Sequence, residues 1–231
     1  MIPAQEWWSI IEAYGARIWP SQIVFYIVAL LLMAWLLFKP GRIQSTFTKL
    51  YLTIAFAWNG IMFFLILAKD ITGESYGNYC FGSLFIIVSL LFAIDLFRQK
   101  MRFSLRASGW RTSFTVGLLV LVFCYPLVGI ALGHSSARLI MPGTFPCPTT
   151  ALGLILLTTA IPRVNKIAYI LLLVWAVPFP PLIQLPKYGV YEDAIMYAQS
   201  LPAMLLAGFL ACPRAGPLER GLYVKFLFTD I

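Results

Sequence analysis

Apolar residues occur in long blocks along this chain, and polar residues separate the blocks. Most blocks have about the twenty residues that an α-helix needs to cross the hydrocarbon core of a bilayer, while the fifth and seventh are shorter. Their approximate bounds are 21–38, 50–68, 80–97, 112–132, 145–161, 167–185 and 197–213. The pattern predicts an all-α membrane protein with seven transmembrane helices, in which residues 1–231 form one integral membrane domain and residues 21–213 form the seven-helix bundle.

The first twenty residues follow a different pattern. Polar and apolar residues mix there, and Trp7, Ile11, Tyr14 and Ile18 recur at a spacing close to one helical turn. Tryptophan side chains favour the boundary between lipid headgroups and hydrocarbon. The pattern therefore predicts a short interfacial amphipathic helix over residues 1–20, ahead of the first span.

Composition points to the same class of protein, since 61% of the residues are hydrophobic, 11% are charged and the mean hydropathy is +0.85. A soluble domain has about 25% charged residues. The net charge of +8 does not indicate nucleic acid, because the basic residues lie between the apolar blocks and no nucleic-acid-binding motif occurs. The expected partners are the lipid bilayer and a small-molecule ligand, and no nucleic acid is expected.

Lysine and arginine are distributed unevenly between the two sides of the predicted bundle. One side carries thirteen of them: Lys39, Arg42, Lys49, Arg98, Lys100, Arg102, Arg106, Arg111, Arg163, Lys166, Arg214, Arg220 and Lys225. The other side carries only Arg17, Lys69, Arg138 and Lys187. Because cytoplasmic loops are enriched in basic residues, the bias predicts an N-terminus outside, a C-terminus inside and a cytoplasmic tail over residues 214–231.

Prolines mark the second half of the chain. Pro126 lies inside the fourth block, Pro178, Pro180 and Pro181 lie inside the sixth, and Pro202 lies inside the seventh. A proline inside a helix removes one backbone hydrogen bond and bends or breaks the helix. We expect the sixth segment to be bent or locally unwound, with the freed carbonyl groups lining a cavity or simply shaping the bundle.

The most distinctive stretch is Gly-Thr-Phe-Pro-Cys-Pro-Thr-Thr at residues 143–150. A residue before proline avoids the helical region, which predicts extended Phe145 and Cys147 and a helix that begins at Pro148. The first N–H groups of that helix need partners, so we expect an outer pocket with His134, Thr149 and Thr150 on its wall and an exposed, reactive Cys147 thiol. The alternative is a rigid helix start with no ligand.

Several other residues have two interpretations each. His134 either binds a ligand together with Cys147 or makes a structural hydrogen bond, and Cys147 could instead form a disulfide with Cys80. Asn59 either lines a polar path or bonds a neighbouring helix. Tyr125 and Glu192 are further candidate ligand-binding residues near the segments with prolines and before the seventh block.

One carboxylate close to a span also has an ordinary explanation. Asp95 lies three residues before Arg98 near the predicted inner end of the third block, a spacing that favours a pair at the end of a helix.

The chain resembles an uncharacterised family of small bacterial polytopic inner-membrane proteins. The resemblance rests on Trp19-Pro-Ser-Gln22, on Gly133-His134 and on the Pro-Cys-Pro-Thr-Thr signature at residues 146–150. It implies a multi-pass protein of the bacterial inner membrane. It implies no activity, because the family has none established.

Two hypotheses of function remain. One is a small-solute facilitator or permease whose outer vestibule is built from the loop between His134 and Thr150, the start of the fifth segment and the acidic Glu192-Asp193 pair before the seventh. The other is a non-transport membrane protein, either an assembly partner or a redox or metal sensor that uses Cys147. No catalytic residue, metal site or cofactor can be assigned, and the single histidine and the missing lysine in the last block argue against multi-histidine hydrolases and retinal proteins.

Overall fold

The structure is a computed structural model that describes residues 2–105 and 110–211, with the backbone alone for 110–111 and 205–211. The described residues contain eight α-helices and no strand, which confirms the all-helical prediction. The helices are α1 (Ala4–Phe38), α2 (Arg42–Trp58), α3 (Ser75–Arg98), α4 (Trp110–Phe123), α5 (Tyr125–Ala131), α6 (Pro146–Thr159), α7 (Lys166–Ala176) and α8 (Asp193–Ala211). Two π-helical segments continue α2 and follow α7, at Asn59–Leu67 and Pro180–Tyr188.

Four helical stretches are long and apolar enough to cross a membrane: Ala4–Phe38, Arg42–Leu67, Ser75–Arg98 and Lys166–Tyr188. A fifth span results if α4 and α5, which are bent by 51° relative to each other, count as one. These helices are compatible with a multi-pass membrane protein. The predicted tail at 214–231, with Arg214, Arg220 and Lys225, lies outside the described residues, as do Arg106 and Cys212.

The predicted interfacial helix and the first span form one helix, α1, which continues through Pro20. Its 35 residues give a length of about 52 Å. The spacing of Trp7, Ile11, Tyr14 and Ile18 is confirmed as one helix face, because all four are buried. That face packs on the protein, so the first four turns of α1 act as a cover over the loops that precede α6 and α8.

Two of the predicted breaks occur at prolines. The bend between α4 and α5 lies next to Pro126, and α7 ends at Ala176, two residues before Pro178, where the chain changes to a π-helical segment. The prediction of a locally unwound sixth segment is confirmed. The change from α-helix to π-helix after α2 involves no proline. There the Asn59 side chain donates to the carbonyl oxygen of Ala55 at 2.7 Å and so takes part in the hydrogen bonding of the helix backbone.

Helix α6 is the centre of the bundle. Every residue from Pro146 to Leu157 is buried, and a helix that is apolar on all sides is typical of a protein interior. At 14 residues it is shorter than the other candidate spans. The loop and helix start at residues 143–150 therefore lie at the centre of the structure.

The end of the bundle that carries Arg98 contains a buried ion pair that the sequence interpretation missed. The Lys49 ammonium lies 3.0 Å from the Asp95 carboxylate, and both side chains are almost inaccessible to solvent. Lys49 also donates to the carbonyl oxygens of Asp95 and Met101. Asp95 therefore pairs with Lys49 of α2 rather than with Arg98, because α2 and α3 pack side by side and bring the two groups together.

Candidate functional site

The cover formed by α1 is attached to the loop before α6 by hydrogen bonds to backbone carbonyls. The Tyr14 hydroxyl donates to the carbonyl of Thr144 at 2.7 Å, and the Gln22 amide donates to the carbonyl of Leu139 at 2.6 Å. Gly15 is required at this contact, since a Cβ there would collide with the carbonyl oxygen of Ala137. The first helix thus holds the loop against the bundle.

The start of α6 differs from the prediction by two residues. Phe145 is extended as predicted, with φ −111° and ψ 141°, but the helix begins at Pro146 and Cys147 is already helical. The prediction that Cys147 is extended is wrong, because Pro146 occupies the first helical position that was assigned to Pro148. Gly143 has φ +99°, a conformation that favours glycine and turns the chain into the helix.

Thr149 and Asn59 satisfy the polar groups of this turn. The Thr149 hydroxyl accepts the N–H of Gly143 at 2.8 Å and donates to the carbonyl of Phe145 at 2.6 Å. The Asn59 amide donates to the carbonyl of Gly143 at 3.0 Å. The hydrogen bonds of both side chains therefore connect α2, the loop and α6. The hydroxyl of Thr150 is buried and has no hydrogen-bond partner among the described residues.

His134 and Glu192 form a pair beneath α1. The Nδ1 atom of His134 lies 2.9 Å from Oε1 of Glu192, and the ring of Trp8 packs on the imidazole at 4.7 Å between centroids. Glu192 is fully buried. Burial raises the pKa of its carboxyl group, and the Glu192 backbone N–H and His134 counteract part of that rise.

Asp193 begins α8 ahead of the apolar residues 197–213 and is also fully buried. Within residues 2–105 and 110–211, no donor reaches either carboxyl oxygen with good hydrogen-bond geometry. Burial raises the pKa of Asp193 to about 8, the neighbouring Glu192 contributes to the rise, and the Cys147 thiol and the Tyr125 hydroxyl oppose it. The group is therefore mostly protonated at neutral pH.

A cavity of about 320 Å³ lies beside Asp193. Its walls are largely aromatic: Trp7, Phe63, Phe64, Phe81, Phe145, Trp175, Phe179 and Tyr188. Its buried polar groups are Asp193, Gln184 and Cys147, and the Gln184 amide donates to the Cys147 sulfur at 3.0 Å. Such a cavity fits a small, mostly apolar molecule that carries a polar group at one end.

Only one of the predicted site residues lines the cavity. Cys147 lines the cavity, but it is 8% exposed, so the expected exposed thiol is wrong. The other predicted residues do not line it and lie behind its wall: His134, Thr149, Thr150, Asn59, Tyr125 and Glu192. Tyr125 accepts the backbone N–H of Met196 at 3.2 Å and so joins α5 to α8.

Sequence reasoning did not find Gln184 or Trp175 as lining residues. It did expect the acidic Glu192-Asp193 pair in the outer vestibule, and Asp193, but not Glu192, lines the cavity. Cys80 is exposed, and it and Cys147 are free thiols, so no disulfide joins them.

A second cavity, of about 550 Å³, lies at the opposite end of α3. Asp95, Arg98 and Lys100 line it from α3 and the chain that follows, and Arg163 and Asn165 line it from the segment before α7. The 320 Å³ cavity uses Gly77 and Phe81 of α3 and Trp175 of α7. The two cavities therefore lie at opposite ends of the same pair of helices.

Together these features describe an all-helical protein, compatible with a multi-pass membrane protein, that has a buried acidic group beside an aromatic cavity. Residues 4–211 match the model of a family of unknown function (DUF6064), and the chain belongs to that family. Comparisons with curated proteins and with solved structures gave no match. The family has no described activity, so function has to be argued from the site.

Proposed function

We propose that the protein is a small-solute facilitator with seven spans in the bacterial inner membrane, and that its solute binds in the aromatic cavity beside Asp193. The observation that carries the proposal is the placement of two cavities at opposite ends of the α3–α7 pair. A facilitator needs a binding site that each side of the membrane can reach in turn. The pair of cavities supplies the two approaches.

The seven-span arrangement adds α6 and α8 to the spans that length and composition already support. Helix α6 is too short to cross about 30 Å of hydrocarbon unaided, and the surrounding helices bury it throughout. The excess of lysine and arginine supports an N-terminus outside and a C-terminus inside. In that orientation the aromatic cavity is at the outer face and the larger cavity is at the cytoplasmic face.

Between the two cavities the path is closed by packed side chains of α3 and α7. Phe85 and Val88 are fully buried, and the rings of Phe85 and Trp175 lie 5.3 Å apart. The proline-containing π-helical segment after α7 carries Ile183 and Gln184 in the outer cavity wall. Movement of that segment relative to α3 would open the path, since its backbone is already irregular.

The predicted ligand-binding residues take a positioning role in this proposal. Asn59 and Thr149 fix the turn before α6, and Tyr125 fixes the start of α8. His134 holds Glu192, which lies next to Asp193 in the chain. These contacts keep Cys147 and Asp193 at the edge of one cavity.

A non-transport function has one specific observation in its favour. The Cys147 thiol lies in the cavity wall next to Gln184, so a ligand or oxidant that enters the cavity would meet it. A sensor of that kind needs the outer cavity but not the path between the cavities.

Uptake into proteoliposomes distinguishes these functions. We would compare three labelled aromatic probes that do not cross bilayers unaided: phenyltrimethylammonium, benzenesulfonate and phenyl glucoside. Ile183→Trp should fill the cavity, and Leu182→Trp is its matched control, because Leu182 is the preceding residue and 72% exposed. Uptake of a probe that Ile183→Trp abolishes and Leu182→Trp retains is the expected result. Binding without uptake of any probe would overturn transport in favour of the non-transport function.

A further inference from the structure

The charges around the outer cavity are of one sign. Two charged residues line it, Asp193 within the protein and the exposed Glu74 on the loop before α3. No lysine, arginine or histidine is among its lining residues in the part of the chain that the structure describes. One lining ring, that of Tyr188, does contact a cation: the Lys187 ammonium lies 5.2 Å from the centre of the ring. Lys187 itself does not line the cavity.

The unpaired polar groups of the cavity are mostly hydrogen-bond acceptors. Among the described residues, no well-aligned donor reaches either carboxyl oxygen of Asp193 or the side-chain oxygen of Gln184, and the Trp175 indole N–H has no well-aligned acceptor. A buried acceptor without a donor is costly, and a buried carboxylate without a cation is more so. A ligand that brings several N–H donors and a positive charge would satisfy these acceptors together.

The aromatic walls favour the same charge. Trp7 stacks on Tyr188 and Trp175 stacks on Phe179, with centroids 5.0 and 4.4 Å apart, so several ring faces and edges surround the space next to Asp193. The faces of aromatic rings attract cations, and cages of aromatic rings are a recurring site for organic ammonium groups. An anion would meet no lysine, arginine or histidine side chain among the described lining residues.

We propose that the ligand of the outer cavity is an organic ammonium ion with an apolar body, held by the Asp193 carboxylate, the Gln184 oxygen and the surrounding aromatic rings. The inference rests on the proposed function only in that a small molecule binds in this cavity; it does not require transport. At neutral pH the ammonium ion replaces the proton that Asp193 carries in the free protein, so close to one proton leaves for each cation bound, and fewer leave as pH rises through about 8.

Calorimetric binding to the full chain in lipid nanodiscs tests the proposal. The probes are 4-phenylbutylamine, 4-phenylbutan-1-ol and 4-phenylbutyrate, which share one apolar body and differ in charge. We expect wild type to bind the amine at least about tenfold more tightly than the alcohol, as a desolvated cation contact predicts. Asp193→Asn should remove that preference and keep alcohol binding, and Asp70→Asn, the loss of an exposed acid that does not line the cavity, should change the preference less than about twofold.

The outcomes separate the two proposals. Equal binding of amine and alcohol by wild type, tighter binding of the butyrate, or a preference that survives Asp193→Asn overturns the ammonium ligand and leaves a binding cavity. Binding of none of the three probes overturns the cavity as a binding site for such molecules, and the ammonium proposal with it.

Amine binding by wild type, measured at several pH values, tests the same proposal without requiring that Asp193→Asn folds. Amine affinity should rise about tenfold or more between pH 6.5 and 8.5, because Asp193 loses its proton in that range while the amine stays charged. The titratable groups that face Asp193 are Glu192, the Cys147 thiol and the Tyr125 hydroxyl, and alcohol binding reports any effect of theirs on the cavity itself. Amine affinity that is flat across this range contradicts the proposal.

Discussion

Two buried aspartates at opposite ends of the bundle have opposite surroundings. Asp95 has a cation at 3.0 Å and further backbone donors, the N–H groups of Lys100 and Met101. Asp193 is at least as buried and, in the part of the chain that the structure describes, has neither a cation nor a well-aligned donor. Protein groups neutralise and hydrogen-bond the Asp95 carboxylate, whereas Asp193 needs a proton or a ligand to do so. Burial alone therefore does not identify a functional acid.

The largest expected effect concerns which end faces which side of the membrane. A cysteine introduced at Tyr76 should label from outside and one at Lys225 from the cytoplasm, in a background without other cysteines, because the basic residues gather on the side of Asp95. Membrane-impermeant maleimide on intact and permeabilised cells measures this. Labelling of both positions from the same side would refute the seven-span orientation and reassign the two cavities.

Removing the partner of Asp95 should cost the most stability. Lys49→Met leaves a buried carboxylate unpaired, and the loss of one partner of such a pair costs about 3–5 kcal/mol. Reversible unfolding in detergent gives the free energy of unfolding. The double variant with Asp95→Leu should recover most of the loss, since both charges are then absent. A single variant as stable as wild type would mean that the pair is not a structural element.

Asp193 should instead make stability depend on pH. Its pKa rises from 3.8 to about 8 on folding, so between these values the folded state holds a proton that the unfolded state has lost. Stability therefore falls as pH rises from about 4 to about 8, by at most about 1.4 kcal/mol per pH unit, and levels off above.

Asp193→Asn should flatten that slope relative to wild type. Glu192, whose pKa burial also raises, adds a slope of the same sign that the variant keeps. Unfolding at pH 6 and pH 8 measures the difference, and Glu74→Gln should behave as wild type. If the free energy of unfolding changes equally with pH in wild type and in Asp193→Asn, Asp193 does not carry a buried proton.

The smallest expected effect separates the two threonines of the signature. Thr149→Val loses hydrogen bonds to Gly143 and Phe145 and should cost about 1–3 kcal/mol. Thr150→Val removes a buried hydroxyl without a partner and should be neutral or slightly stabilising. Both changes are isosteric, so the same unfolding assay compares them directly. Equal losses would argue against Thr149 as the residue that fixes the turn.

Structural elements that depend on neighbouring residues in the chain could be predicted from the sequence. Long apolar blocks gave the helices, and Pro178 and its neighbours gave the break after α7, because a missing N–H acts within a few residues. The Lys49–Asp95 pair and the surroundings of Asp193 depend on which helices become neighbours. Charge and spacing within one segment carry no information about that, which is why Asp95 was paired with Arg98, and why the Glu192-Asp193 pair was expected near the outer pocket without a prediction of which acid lines it.

The candidate site divides in the same way. Asn59 and Cys147 stood out because a strongly polar or reactive side chain is rare in an apolar block. Whether such a side chain faces a cavity or a backbone carbonyl is decided by packing. Asn59 faces the carbonyl of Gly143, and Cys147 faces the cavity.

The cover formed by α1 also sets the order in which the protein can be completed during synthesis. The first helix leaves the ribosome before everything it binds, since Trp8 donates to the carbonyl of Tyr188, 180 residues later, and Tyr14 to that of Thr144, 130 residues later. Domains and helices that are made first must wait for distant partners. The aromatic cavity therefore cannot be complete until Gln184, Tyr188 and Asp193 have been made, long after Trp7 and Ile11 of the first helix, which line the same cavity.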